Sequence, residues 1–589
     1  MKFNFTRCLI ISLVIFSIKL NSQPLQFTDV AGLMGINSPI QFIRGSVSFC
    51  DFNGDGLDDL SFSSAQEFPL FIYKSEGTSF TNVTFDLQLY DSLRTMQLLW
   101  CDYDNDGDKD LFNAVDYEAN YNRLYRNDNG IMVDVTLSSG IGTVPSSCNA
   151  AAFADYNNDG WVDLFVTHYS EFTSNYLYKN NGDGTFTDVT EIAGVGGFDP
   201  LTGYYRLPFA VVFYDYNNDG WLDIHICNDH FTGDYHYRNN GDGTFTEISQ
   251  TSGAGVKGFM MGIGVGDYDE NGYLDLYLSN DPFGNYFLKN NGDGTFSDVA
   301  EELEMTVNKS CWGTNFFDYD NDGDLDLYVC VEIGVNAFFN NNGDGTFTRL
   351  VGIGLDGNYK SFGCGIGDFD NNGYYDIAVH NEQSPVNLYK NNGGSNNWVK
   401  LNLVGVECNR DGIGSRIEVY IGSRKIIRET NCGISYMSQN SNSTIIGAGL
   451  NTTVDSILVR WAGSGTIDVL RNVAVNQTIT LTEGETIVSA GNEIILPDEF
   501  ILYQNYPNPF NPSTKITFGL AADSKVNLKV FDVLGQEVMK LINNDLTAGS
   551  HHVDFDGSNL KSGVYFYKIV ATGNNNTNFS DVKKMVLTK

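Results

Sequence analysis

Aspartate recurs in this chain at a spacing that suits a hard cation. The nine-residue pattern D-x-[DN]-x-[DN]-G-x-x-D occurs seven times. Places one, three, five and nine carry a side-chain oxygen in every copy. They are Asp51, Asn53, Asp55 and Asp59 in the first, Asp102, Asp104, Asp106 and Asp110 in the second, and Asp155, Asn157, Asp159 and Asp163 in the third. The fourth and fifth carry Asp215, Asn217, Asp219 and Asp223, then Asp267, Asp269, Asn271 and Asp275. The last two carry Asp318, Asp320, Asp322 and Asp326, then Asp368, Asp370, Asn372 and Asp376. Ca²⁺ takes roughly 6–8 oxygen ligands, and alternate residues of a tight loop can aim theirs at one centre. The Gly at place six allows the bend, and the carbonyl of Leu57 would add a ligand in the first copy. An EF-hand starts in the same way but needs Glu at place twelve. That place holds Phe62, Asn113, Val166, Ile226, Leu278, Val329 and Val379, which excludes an EF-hand. Asp and Asn also cap ordinary turns. Seven copies in phase favour cations, because bundled carboxylates without one repel each other. Up to seven structural Ca²⁺ are expected, with weaker sites where Asn271 and Asn372 stand at place five.

The charge balance agrees. The chain has 73 acidic and 35 basic residues in 589, a net charge of −38, and the seven loops hold 27 of the acidic ones. Such a surface disfavours nucleic acid and anionic lipid as partners.

The loops imply the elements that must hold them. Their starts are 51, 53, 60, 52, 51 and 50 residues apart, a period that fits a four-stranded propeller blade. A second motif keeps phase, the turn Asn-Asn-Gly-Asp-Gly-Thr-Phe at Asn180–Phe186, Asn239–Phe245, Asn290–Phe296 and Asn341–Phe347. Asn, Gly and Asp tolerate positive φ, so each is a hairpin turn. Segments such as Asp163-Leu-Phe-Val-Thr read as short strands, and no helical period is evident over 40–395. The expected fold is all-β, a seven-bladed β-propeller followed by two small β-sandwich-like domains. Gln26-Phe-Thr-Asp-Val matches the late strand of a blade, so it should pair with the last repeat, near Asn392, and close the ring.

The remaining stretches divide the chain. Lys2, Arg7 and the apolar run Leu9–Ile18 read as a secretory signal over 1–22 cut near Ser22, with no transmembrane segment after it. The propeller spans 23–394, a second β domain 395–485, a linker 486–499 and a third β domain of about seven strands 500–589. Ten cysteines become nine once Cys8 leaves; small buried residues are expected, although Cys408 and Cys432 could pair.

Three resemblances follow from these motifs. The Asp-loop repeats over about 25–394 resemble the FG-GAP/VCBS class of calcium-binding propeller repeats, which implies a loop face that contacts ligand and a role in binding or adhesion. Trp398-Val-Lys-Leu-Asn-Leu, Asn409-Arg-Asp-Gly-Ile-Gly-Ser-Arg and Val459-Arg-Trp461 resemble the ASPIC/UnbV domain, with Ala462-Gly463 where that family continues Pro-Ser. Tyr503-Gln-Asn-Tyr-Pro-Asn-Pro-Phe-Asn-Pro, Val530-Phe-Asp-Val-Leu-Gly-Gln-Glu and Leu560-Lys-Ser-Gly-Val-Tyr-Phe-Tyr-Lys resemble the type A sorting domain of type IX secretion. That resemblance implies a Bacteroidota-type Gram-negative host, passage through the outer membrane on the type IX secretion machinery, removal of the tail, and a product released or held at the cell surface.

Catalytic signatures are missing: there is no G-x-S-x-G, H-E-x-x-H or phosphate loop. His225, His230 and His236 lie at spacings that match no standard zinc pattern. The expectation is therefore a secreted or cell-surface calcium-binding protein with a protein or glycan ligand. The alternatives are a polysaccharide-degrading propeller enzyme and a lectin that stacks sugars on Trp161, Trp221, Tyr273 and Tyr374. Arg410, Asp411, Arg416, Arg428 and Glu429 are expected to form an internal salt-bridge network in the second domain rather than a polar site.

Overall fold

The computed structural model describes residues 27–37, 44–116, 121–141, 147–485 and, in the last domain, 500–502, 505, 508, 510, 512–547, 549–573 and 578–587. The expected signal segment and the linker over 486–499 lie outside them.

Residues 27–391 form seven four-stranded antiparallel sheets arranged as a β-propeller. The third is typical: Cys148–Ala154, Asp163–His168, Tyr176–Asn180 and Phe186–Asp188, paired in chain order. Sheets stack face to face, so the first two strands of each are covered on both sides. Asp163–His168 is buried at every residue, which is why such strands read as continuous apolar runs rather than alternating ones. The innermost strands pack in sequence around the ring, and Lys360–Gly367 returns to pack on Val47–Cys50. The late-strand fragment closes the ring as anticipated: Phe27–Asp29 pairs antiparallel with Asn387–Asn391, Phe27 opposite Asn391.

Three helices of four residues, Thr136–Ser139, Thr190–Ala193 and Ser249–Ser252, interrupt the all-β pattern. A carboxylate two residues upstream (Asp134, Asp188 or Glu247) accepts the first amide, and a left-handed glycine ends each. One turn is too short to leave a sequence period.

The second domain packs a three-stranded sheet on the four-stranded sheet Arg424–Glu429, Arg416–Ile421, Thr453–Arg460 and Ile467–Ala474, around Val399, Leu401, Ile417, Val459 and Trp461. The third has seven strands in sheets of three and four around Phe518, Val530, Tyr567 and Ile569.

The second domain does not stand apart. Its segment Cys432–Ser441 leaves the sandwich and enters the channel that the innermost strands enclose. Main-chain hydrogen bonds join Gln439 to Val47 and Phe49, Cys432 to Phe153, and Ser435 to Ile263. Side chains reach the other sheets: Gln439 bonds both the N–H and the carbonyl of Trp100 at 2.8 Å. Ser435 Oγ accepts from Thr314, and Asn440 Oδ1 from Ile366. Tyr436, fully buried, packs on Phe209, Trp312 and Phe362. Every sheet thus touches this segment, which plugs the ring. The approach is close: a Cβ on Gly433 (φ 105°) would lie 2.6 Å from the carbonyl oxygen of Ala151. Cys408 and Cys432 are both buried free thiols, as are the other seven described cysteines, so the pairing left open by the sequence is not made.

Glu418 sets an acid limit on the second domain. Its carboxylate is 5% exposed and meets Arg416, Lys425 and Arg460 at 3.4, 3.1 and 3.0 Å. Burial alone would raise its pKa, but Arg460 and Lys425 outweigh it and hold it at about 2. The folded value lies below the unfolded one, so this stabilisation is present above the ordinary glutamate range and is lost as pH falls towards 2. Glu418→Gln should therefore destabilise the chain at pH 7, with the difference from wild type shrinking steadily below about pH 4.5. Parallel acid titrations of circular dichroism would read this, and a pH-independent difference would refute it.

Candidate functional site

Each Asp loop is built by its first and ninth residues. At place one, the two carboxylate oxygens accept the amides of places five and six, as Asp102 does from Asp106 and Gly107 at 3.0 and 2.8 Å. At place nine, one oxygen takes the amide of place two and the other the end of the third strand. Asp110 does so with Tyr103 and Asn127 at 3.1 and 2.8 Å. The carboxylate therefore fastens loop to sheet. Burial pushes Asp59 up to about 8 and Asp110 to about 9, and holds Asp163, Asp223, Asp275, Asp326 and Asp376 well above the usual range. Place-one groups follow: burial lifts Asp102 and Asp155 to about 7, and Asp215, Asp267 and Asp368 to about 6.

Place three tests the fit to a cation. Carboxylate oxygens of places one, three and nine lie within 4.8 Å of one another in four loops: Asp102, Asp104 and Asp110; Asp267, Asp269 and Asp275; Asp318, Asp320 and Asp326; Asp368, Asp370 and Asp376. Oδ1 of Asp104, Asn157, Asp320 and Asp370 is buried without a hydrogen-bond partner. Capping accounts for places one and nine but leaves these oxygens unexplained; a hard cation at the triad fits them. Lys289 and Lys390 pair with Asp269 and Asp370, so of the four triads those from Asp102 and Asp318 are the ones without a lysine on place three. Where place three is amide, Asn53 donates to Asp59 at 3.0 Å and Asn217 to Asp219 at 2.8 Å. Place five is outside the triads: Oδ1 of Asp55, Asp106, Asp159, Asp219, Asn271, Asp322 and Asn372 accepts the amide of place seven. Asn271 and Asn372 also donate to the carbonyls of Asn290 and Asn391.

Two further asparagines join neighbouring sheets. At place four, Asn105, Asn158, Asn218, Asn321 and Asn371 adopt positive φ and donate to the place-six carbonyls of Gly160, Gly220, Gly272, Gly373 and Gly56, each on the next loop around the ring. The first Asn of the hairpin turn does the same, as Asn180 does to the carbonyl of Tyr103 at 2.8 Å. The signal was present, since place four is Asn in five copies. The aromatic at place seven packs rather than waits for ligand: a Cβ on Gly182, Gly241 or Gly292 would lie 2.7–2.9 Å from Trp161, Trp221 or Tyr273, and Tyr374 is buried.

The second domain covers this loop face. Asp411 accepts the amide of Asp102 and pairs with Lys109. Glu429 accepts the amide of Asp215, and Arg416 donates to Asn218 Oδ1 and the carbonyl of Gly272 at 2.7 and 2.8 Å. Arg424 binds Glu270 and Asp324, Arg428 the carbonyl of Gly323, and Lys400 both Asp368 and Asn371. The Arg410 amide donates to Asn105. The expectation of a purely internal network is therefore corrected: Arg416 also pairs with Glu418, but all five residues meet the propeller, the arginines at loop oxygens and Asp411 and Glu429 at loop amides.

Among the described residues, the opposite face is open. Phe85, Tyr90, Phe172, Leu201, Phe231 and Phe283 are 48–93% exposed, and all lie on connections at the end away from the Asp loops. Phe231, Phe259 and Phe283 cluster with ring centroids 4.8–6.0 Å apart. Beside them lies an open groove of about 1460 Å³ lined in part by Glu191, Arg206, Phe231, Tyr235, Glu247 and Lys257, with Arg206 4.0 Å above the Tyr235 ring. Nothing in the repeat pattern marked these residues, because they lie on connections that differ from copy to copy.

Comparison with known proteins fits this architecture. FG-GAP-like repeats match residues 51–113, 102–166, 155–226, 215–278 and 271–329. ASPIC and UnbV matches 405–488, and a secretion system C-terminal sorting domain matches 504–587. The chain is similar to human cartilage acidic protein 1, 22% identical over 429 residues, covering 65% of this chain and 62% of that protein. Its Xenopus tropicalis counterpart is 23% identical over 343 residues, 51% of each. The chain thus spans less than two thirds of the length of these relatives. Similar solved structures include an Agrocybe aegerita lectin described as recognising non-reducing terminal N-acetylglucosamine (19% identity, 59% of this chain and 88% of that one, TM-score 0.39). Saccharomyces cerevisiae Sqt1 is another (11% identity, 63% and 99%, TM-score 0.39).

Proposed function

As a propeller of FG-GAP-like repeats joined to an ASPIC/UnbV domain and a secretion system C-terminal sorting domain, this is a secreted or cell-surface protein, and we propose that it works there by binding a protein or glycan ligand on its open loop face. The sorting domain implies contact with the secretion machinery; in this reading that is the type IX apparatus of a Bacteroidota-type bacterium. Calcium in the Asp loops is structural, stiffening the ring while the second domain closes one end and the channel. That leaves the opposite connections for ligand. The observation that carries the reading is the cluster of exposed Phe231 and Phe283 on half-buried Phe259, beside a groove with Arg206, Glu191 and Glu247. Exposed rings with polar groups around them suit stacking on sugars or burial under a partner protein.

Phe231→Ala with Phe283→Ala should weaken ligand retention about tenfold or more, the scale of a binding hot spot, while leaving the melting temperature unchanged. The assay incubates the mature protein with a panel of plant and algal polysaccharides. Retention without cleavage indicates a glycan binder and cleavage the polysaccharide-degrading alternative. The absence of both retention and cleavage directs the search to a protein ligand. Retention equal to wild type in the double variant would refute this face as the site.

A further inference from the structure

The fourth sheet holds a polar cluster away from the Asp loops, buried behind the groove that Asp234 helps to line. His225 and Cys227 alternate on the strand Asp223–Asn228, so their side chains lie on the same face. Asp234 immediately precedes the neighbouring strand Tyr235–Asn239, and its Oδ1 accepts the Asn228 amide at 2.7 Å. All three residues are completely buried, and their ligand atoms lie within 4.8 Å of one another. Neither ring nitrogen of His225 has a hydrogen-bond partner, nor does Asp234 Oδ2. His225 Nε2 and that oxygen pair at 3.5 Å, too long for a good hydrogen bond.

Buried imidazoles and carboxylates are ordinarily satisfied, and an unmet one calls for an explanation. The nearby histidines show the contrast. His236 bonds Tyr214 through Nε2 and Ser252 through Nδ1, both at 3.1 Å. His230 is exposed and pairs with Asp229 at 2.9 Å. Of these three, only His225 has no hydrogen bond at either nitrogen, and its long pairing with Asp234 lies beside a thiol.

We propose that His225, Cys227 and Asp234 form a buried site for one thiophilic divalent transition metal, with Zn²⁺ the expected ion. Thiolate and imidazole select such ions over Ca²⁺, which takes oxygen. A thiolate and a carboxylate also cancel a charge of two, and a water would complete a four-coordinate shell. Binding releases the thiol proton to solvent, and no oxidant or reductant is involved. The ligands come from two adjacent strands, so the metal would lock the middle of the fourth sheet, independently of the loops at its end.

The test uses the full chain refolded in Ca²⁺ with zinc, then freed of loose metal. Elemental analysis should find about one zinc per chain, and Cys227→Ser should retain about a tenth of that or less, the scale of losing a ligand. Cys330→Ser, a buried thiol elsewhere, should retain it all. Refolding with Co²⁺ should give a thiolate-to-cobalt charge-transfer band, and this reading of the wild type stands even if Cys227→Ser fails to fold. No bound zinc, zinc unaffected by Cys227→Ser, or cobalt bound without the thiolate band would each overturn the site.

Discussion

Excess EGTA should lower the melting temperature of the purified chain by on the order of 10 °C or more, and added Ca²⁺ should restore it. A ligand at about 100 times its Kd stabilises the folded state by about 2.7 kcal/mol per site. The two triads without a lysine on place three, from Asp102 and Asp318, would supply about 5 kcal/mol at that saturation. In a ring of this size 1 kcal/mol corresponds to about 2 °C. The effect has a pH signature. Without metal, Asp59 and Asp110 have folded pKa values near 8 and 9, above the unfolded value of about 3.9. Their protonated forms therefore stabilise the metal-free fold at low pH, and that contribution is lost as pH rises through 8 and 9. Protons and Ca²⁺ compete for these oxygens, so the gap between calcium-loaded and chelated protein should widen from pH 5 to pH 9. Asp104→Asn with Asp320→Asn should remove part of it. An unchanged melting curve in EGTA, with metal analysis finding no calcium, would sink the cation reading.

The second large effect concerns the plug. A chain ending at residue 394 keeps all seven sheets but loses Cys432–Ser441, and it should aggregate or melt at least about 10 °C lower. Removing the segment opens main-chain groups of Val47, Phe49, Phe153 and Ile263 in the channel, each costing about 1–3 kcal/mol if left unpaired. Single changes in the full chain should be graded accordingly. Tyr436→Ala deletes a fully buried ring and should cost about 3–5 kcal/mol. Gln439→Leu orphans the N–H of Trp100 and leaves its carbonyl only the weak donor Cys432 Sγ, and should cost about 1–3 kcal/mol. Propeller and second domain should melt in one calorimetric transition. A truncated propeller as stable as the full chain would show that the segment occupies the channel without supporting it.

Much of this was legible from residue types alone. The Asp loops recur because each sheet needs the same sharp bend, and a repeated local requirement leaves a repeated local mark. Phe27–Asp29 was recognisable as a late strand for the same reason: it copies Phe186–Asp188. Place-four Asn carried an equally regular signal that the pattern left as any residue, since the carbonyl it bonds lies on the next sheet, more than fifty residues away.

The sequence by itself determined the strands, their grouping into sheets, the ring closure and the oxygen-lined loops, because these depend on short-range backbone geometry and on composition that repeats. Only the tertiary structure decided that Cys432–Ser441 fills the ring, that Arg416, Arg424 and Arg428 serve the propeller, and that His225 meets Asp234 away from solvent. Those contacts join segments that differ in pattern, and their partners are largely main-chain groups that every residue carries.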